Sequence, residues 1–195
     1  MKYMIASDIH GSAYYCREML RQFEAEHADR LILLGDILYH GPRNDLPRDY
    51  APKEVIAMLS PLAKTILCVR GNCDTEVDQM VLPFPILADY ALLESEGHMI
   101  FLTHGHHFHA EALPPLCPGD VLLHGHTHVP LCTVKDGITV LNPGSVSIPK
   151  AGSPHSFMAL ENGDFTWKML DGSIYHTWRL GEAAQDFAGE FPSES

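Results

Sequence analysis

Apolar residues recur along this chain in short runs, and each run stops at a polar turn. Residues 3–7 read as a first strand, and Ser12 caps a helix whose apolar positions Cys16, Met19, Leu20 and Phe23 follow the i, i+3, i+4, i+7 spacing of one helical face. Residues 30–34 end in four large aliphatics, Leu31 to Leu34, the pattern of a strand buried on both faces, so the first three elements form a βαβ unit. From 39 to 52 the chain is polar with three prolines, long enough for a rim or lid over a site. Pro52 suits the first turn of a helix carrying Val55, Ile56 and Leu59, and residues 65–69 are another buried strand.

Beyond Pro83 and Pro85 the pattern changes. Residues 88–93 and 98–103 are apolar runs split by Glu94-Ser95-Glu96-Gly97, a predicted hairpin, and residues 120–123 form a further short strand. Asp136-Gly137, Asn162-Gly163 and Asp171-Gly172 mark later hairpin turns. Strands alternating with helices and then strands in hairpins predict an α/β fold: two β-sheets packed face to face and flanked by helices. One domain is expected over residues 1–180, with the acidic, Ala-, Gly- and Ser-containing stretch 181–195 as a disordered tail.

Composition narrows the function classes. Thirteen basic against 25 acidic residues give a formal charge of −12, which disfavours stable nucleic-acid binding and anionic membranes and requires a locally positive site for any phosphate-bearing substrate. No apolar run approaches the roughly 18 residues of a membrane span, and the start leads straight into a strand without a signal-peptide layout. Five cysteines, Cys16, Cys68, Cys73, Cys117 and Cys132, lack paired spacing and point to reduced thiols in a cytoplasmic setting. The 13 histidines are many for this length, and they concentrate between His98 and His128.

The polar turns carry the chemistry. Asp8 and His10 follow the first strand and Asp36 follows Gly35 at the end of the second. Arg70-Gly71-Asn72-Cys73-Asp74, Thr103-His104-Gly105-His106-His107 and His124-Gly125-His126-Thr127-His128 follow three more. Each residue alone has an ordinary explanation: Asp8 and Asp36 as helix caps, Asn72 as a turn former, a buried histidine as a hydrogen-bonded core residue. Together they put oxygen or imidazole ligands at five strand ends, the edge where open α/β sheets keep their sites.

These blocks, Asp8-Ile9-His10, Gly35-Asp36, Gly71-Asn72-Cys73-Asp74, His104-Gly105 and Gly125-His126-Thr127-His128, resemble the signature of the calcineurin-like metallophosphoesterase superfamily, in the family's order. Asn142-Pro143-Gly144-Ser145 is similar to the YfcE-type group of small bacterial and archaeal phosphodiesterases, and the resemblance spans residues 1–180. It implies a four-layer sandwich of two mixed sheets and two divalent ions. One ion is held by Asp8, His10, Asp36 and His128, the second by Asp36, Asn72, His104 and His126, with Asp36 bridging. Two ions supply +4, the two aspartates −2, and a bridging hydroxide leaves about +1 to attract a phosphoester and attack it in line. Carboxylate, amide and imidazole donors without thiolate favour manganese or iron, with zinc or nickel as substitutes.

The implied activity is metal-dependent phosphodiester hydrolysis of a small molecule by a cytoplasmic enzyme, a homo-oligomer such as a dimer or tetramer. A phosphomonoesterase or nucleotidase and a non-catalytic metal-binding interaction scaffold are the alternatives. The chain departs from the family at Cys73, where histidine is usual; a thiol is a poor proton donor to a leaving oxygen, so activated or aryl esters are the expected substrates. Cys73 is read either as part of the catalytic group with Asp36, Asn72 and Asp74 or as a packing residue that widens the pocket. Arg70 is a candidate phosphate clamp or a partner of Asp74. His106, His107 and His109 are read as substrate contacts or as solvated surface histidines, and Tyr39, His40 and Arg43 as shaping the pocket.

Overall fold

The computed structural model describes residues 1–184, 186 and 187. In chain order the elements are β1 (Lys2–Ala6), α1 (Ala13–Ala25), β2 (Arg30–Leu33), α2 (Pro52–Leu59), β3 (Ile66–Cys68) and the short α3 (Glu76–Gln79). They continue as β4 (Tyr90–Ser95), β5 (His98–Thr103), β6 (Val121–Leu123), β7 (Leu131–Lys135), β8 (Ile138–Asn142), β9 (Ser156–Glu161), β10 (Asp164–Met169) and β11 (Ile174–Arg179). Ser12 takes extended backbone and its hydroxyl accepts the Tyr15 N–H at 3.2 Å, which starts α1 where the sequence places it. Strands end a residue or so inside their apolar runs because the ladder opens into turns, with Leu34 and Val69 still donating to Ala6 and Leu33 at 2.9 and 3.0 Å.

The strands form two mixed sheets. Six strands are ordered β11-β10-β9-β1-β2-β3, and five are ordered β4-β5-β6-β8-β7. The βαβ unit is parallel, with Tyr3 opposite Arg30, whereas β9 runs antiparallel on the other side of β1 and ties the two halves of the chain together. Between the sheets lies an apolar core that includes Ile5, Ile32, Leu102, Leu123, Leu141, Phe165 and Trp167. Alternate residues of the first sheet, Met4, Leu31, Leu33 and Phe157, pack outward against Cys16 and Met19 of α1 and Val55 and Leu59 of α2. The two sheets are thus face to face, with both long helices on one outer face. The other outer face, Phe101, Leu122 and Val140, is covered by Phe108, Ala110, Leu113 and Leu116 from an irregular segment.

Among the described residues no helix is long and apolar enough to cross a membrane. In the stretch expected to be a tail, the Phe187 N–H donates to the Cys132 carbonyl at 2.8 Å and Asp186 accepts the Thr133 hydroxyl at 2.6 Å; residues 185 and 188–195 lie outside the described residues.

Trp167 is fully buried between the sheets, and its indole N–H donates to the Asn142 carbonyl at 2.7 Å. Trp167→Ala is expected to lower unfolding free energy by about 3–5 kcal/mol, measured by urea denaturation, because it opens a cavity and strands that carbonyl.

Candidate functional site

The turns that follow β1, β2, β3, β5 and β6 converge at one edge of the sandwich and bring Asp8, His10, Asp36, Asn72, His104, His126 and His128 together. The His10 Nε2 lies 3.5 Å from Asp8 Oδ1 and 3.6 Å from Asp36 Oδ2. His104 Nε2 lies 3.5 Å from the same Asp36 Oδ2, and His128 Nε2 lies 3.1 Å from Asp8 Oδ1. Asn72 Oδ1 and His126 Nδ1 reach His104 Nε2 at 3.1 and 3.2 Å.

Each carboxylate divides its two oxygens between scaffold and centre. Asp8 Oδ2 accepts the Ser7 hydroxyl at 2.6 Å and the His126 N–H at 3.0 Å, while its Oδ1 is buried without a hydrogen-bond donor among the described residues. Asp36 Oδ1 accepts the Cys73 N–H at 2.8 Å, and its Oδ2 faces His10 and His104. The imidazoles are aimed the same way. His10, His104 and His128 place Nδ1 at 2.8, 2.6 and 2.6 Å from the carbonyls of Tyr39, Leu34 and Ile148, which can only accept, so Nδ1 carries a proton and, in the neutral ring, the Nε2 lone pair points inward. Two such lone pairs, on His10 and His128, meet at 3.3 Å. That contact is repulsive unless a cation or an added proton sits there.

The backbone is bent to achieve this. Asp8, His10, Asp36, His126 and His128 all have positive φ, from 49° to 67°, which costs a residue with a Cβ about 1 kcal/mol. Clamps hold it: Ser145 and Ser147 hydroxyls donate to the Asp8 carbonyl at 3.0 and 2.9 Å, and the Asp74 carboxylate accepts the N–H groups of Asp36, Ile37 and Gly71 at 2.8, 2.9 and 2.8 Å. A Cβ on Gly71 would overlap Asp36 Oδ1, and one on Gly125 would overlap the Ser7 hydroxyl, so both glycines are required by close approach.

Electrostatics follow from this packing. Burial opposes charge on Asp8, yet the imidazoles of His10 and His128 hold its carboxyl well below the ordinary range. Burial also opposes charge on His104, but the Asp36 carboxylate and the charge of Asp8 raise it to about 9. Burial pushes the Cys73 thiol up, and the carboxylates of Asp36 and Asp74 add to it, so the thiol stays neutral. The donors fit divalent cations: Asp8, His10 and His128 form one compact group, and Asp8, Asp36 and His104 form another.

A cavity of about 410 Å³ opens over the centre, lined by Asp36, Asn72, Cys73, His126 and His128, with Gly41, Arg43, Asn44 and Lys150 at its rim. Of the 39–52 segment, Tyr39, Tyr50 and Pro52 thus line a separate hollow, while residues 41–44 line this cavity. Arg70 and Asp74 stand behind it: the Arg70 Nε donates to the Asp74 carbonyl at 3.3 Å. The rings of His106 and His107 pack at a 43° tilt, 4.0 Å between centroids, outside the cavity, and His106 with His109 lines a neighbouring hollow. Lys150 and the Ser147 hydroxyl escape sequence reasoning, and Ser145, noted only within the Asn142-Pro143-Gly144-Ser145 motif, has its clamping role visible only in the fold.

Comparisons with known proteins agree with this geometry. Residues 1–164 match the family described as the calcineurin-like phosphoesterase superfamily domain. Phosphodiesterase YfcE of Escherichia coli is 51% identical over 162 residues, 83% of this chain and 88% of its own. The solved structure of Yfce, a phosphoesterase from E. coli, superposes with a TM-score of 0.89 at 47% identity, covering 93% of this chain and all of that one. A phosphodiesterase of Methanocaldococcus jannaschii is 27% identical over 152 residues, 74% of this chain and 83% of its own.

Metal uptake is expected to release protons. His104, raised to about 9, holds a proton at neutral pH in the metal-free chain, and a cation must displace it. Apparent Mn²⁺ affinity should therefore fall about tenfold for each unit of pH lowered below 9 per proton displaced, with acidification seen on adding metal to weakly buffered protein. Affinity independent of pH between 6 and 8.5 would contradict the assignment.

Proposed function

The chain belongs to the calcineurin-like phosphoesterase superfamily, and on that premise we propose that it is a dinuclear, metal-dependent phosphodiesterase acting on small phosphodiesters. The observation that carries the reading is the division of labour in the two carboxylates: Asp8 and Asp36 each keep one oxygen facing imidazole nitrogens that present lone pairs. One ion is assigned to Asp8, His10, Asp36 and His128, the other to Asp36, Asn72, His104 and His126. The predominance of oxygen and nitrogen donors supports manganese as the working ion, and the 51% identity to phosphodiesterase YfcE supports phosphodiester chemistry.

When bound, divalent ions at such a centre supply positive charge to phosphoryl oxygens and make water more acidic. The chain's own groups do the rest. Asn72 and His126 line the cavity and orient an oxyanion, while Arg43 and Lys150 at its mouth draw an anionic ester towards a protein whose formal charge is −12. Cys73 lines the cavity as a neutral thiol and a weak hydrogen-bond donor, so little protonation of the departing oxygen comes from it. Good leaving groups are therefore favoured. A cavity of about 410 Å³ suits a small ester.

Metal-stripped protein refilled with Mn²⁺ should hydrolyse an aryl phosphodiester in preference to the matching monoester, and Asp36→Asn should lower turnover by roughly two orders of magnitude or more. Monoester preference would move the assignment to a phosphomonoesterase, and metal binding without turnover of either ester would leave a metal-binding scaffold. Cys73→His should raise turnover of diesters with alkyl leaving groups by about 100-fold and alter aryl diesters much less, because it supplies the missing acid. Equal effects on both classes would remove Cys73 from the account of leaving-group choice.

A further inference from the structure

Beside the metal cavity lies a second hollow of about 350 Å³, which phosphate chemistry leaves unused. Its walls include Tyr39, Tyr50, Ile56, Cys73, Val77 and Val81. Cys73 lines both spaces, so they meet at its side chain. Apolar surface here stays in water: Tyr39 is 42% exposed, Val77 70% and Val81 48%. A contiguous apolar wall at the mouth of a polar centre is the usual sign of a ligand surface.

Charge is sorted between the two spaces. The cations Arg43 and Lys150 line the metal cavity, whereas the charged group lining the apolar hollow is Asp78, whose carboxylate already accepts the Thr75 N–H and hydroxyl, each at 2.8 Å. A second phosphate or carboxylate would be repelled there. An uncharged ring would bury against two tyrosines, an isoleucine and two valines. Cys73 is the lining residue the two spaces share, and its side chain is small.

We propose that this hollow is the subsite for an uncharged aromatic ester group of the substrate, with Val77 and Val81 setting specificity and Cys73 standing between that group and the phosphate. The inference rests on the phosphodiesterase reading of the metal centre. It explains why an acidic chain keeps an apolar surface next to a site for an anion.

The test uses the full Mn²⁺-loaded chain and the double variant Val77→Gln/Val81→Gln, whose positions are at the surface and leave the core intact. Bis(4-nitrophenyl) phosphate is the substrate, and inorganic phosphate and phenylphosphonate are competing inhibitors. The wild type should bind phenylphosphonate more tightly than phosphate. In the variant KM should rise about tenfold with kcat altered less than about twofold, phenylphosphonate should lose its advantage, and inhibition by phosphate should stay within about twofold. Each single substitution should give part of the same rise. A KM and a phenylphosphonate constant that do not move, with diester turnover intact, overturn the subsite alone. A change in oligomeric state by size-exclusion chromatography with KM unmoved overturns it in favour of a contact between copies. A wild type that binds phosphate but turns over no diester overturns the reading beneath it.

Discussion

The structure depends on one constraint: polar ligand atoms must be held face to face in a buried space. His10 and His128 meet nitrogen to nitrogen at 3.3 Å, and Asp8 Oδ1 is buried beside them, 3.1 Å from His128 Nε2. Their close approach is maintained by the groups behind them. Three backbone carbonyls fix imidazole protons, and Ser7, Cys73 and His126 hold the outer carboxylate oxygens. The turns themselves sit in left-handed backbone at five non-glycine residues. Holding candidate ligand atoms in place from behind in this way is what preorganises a site.

Asp74 illustrates how the second layer works. It is buried, and burial raises its carboxyl, while N–H groups from Ile37, Gly71 and Asp36 pull it back. Those three amides belong to the turns after β2 and β3. One side chain thereby locks the two turns that carry Asp36 and Asn72, and its contribution to function is positional.

The fold was legible where its physics is local. Runs such as Leu31 to Leu34 are too apolar for anything but an interior strand, and Ser12 begins α1 with a cap that needs only its own helix. The cluster of candidate metal donors was legible because each is a polar residue stranded at the end of such a run. Contacts that depend on distant segments were not. The hydroxyls of Ser145 and Ser147 meet the Asp8 carbonyl across more than 130 residues, and although Ser145 closes the Asn142-Pro143-Gly144-Ser145 motif, the sequence does not say which group it grips. The outer face of the five-stranded sheet likewise takes its cover from Phe108, Leu113 and Leu116, whose spacing belongs to no regular element. Arg70, His106 and His107 neighbour candidate ligand residues in sequence yet do not line the metal cavity, although the His106 ring packs against His104 and His126, because a turn sends successive side chains in different directions.

The pairing of β1 with β9, Lys2 opposite Glu161, also sets the order in which the molecule can be assembled. The first donor turn leaves β1 at Asp8, but its carbonyl is not gripped until Ser145 and Ser147 exist, and its strand is not flanked on both sides until β9 does. During synthesis on the ribosome the earliest residues of the centre therefore wait for some of the latest. Loop closure over such a span makes folding slow relative to local helix formation. The candidate centre is thus among the last features of the molecule to be completed, and its geometry reports finished topology.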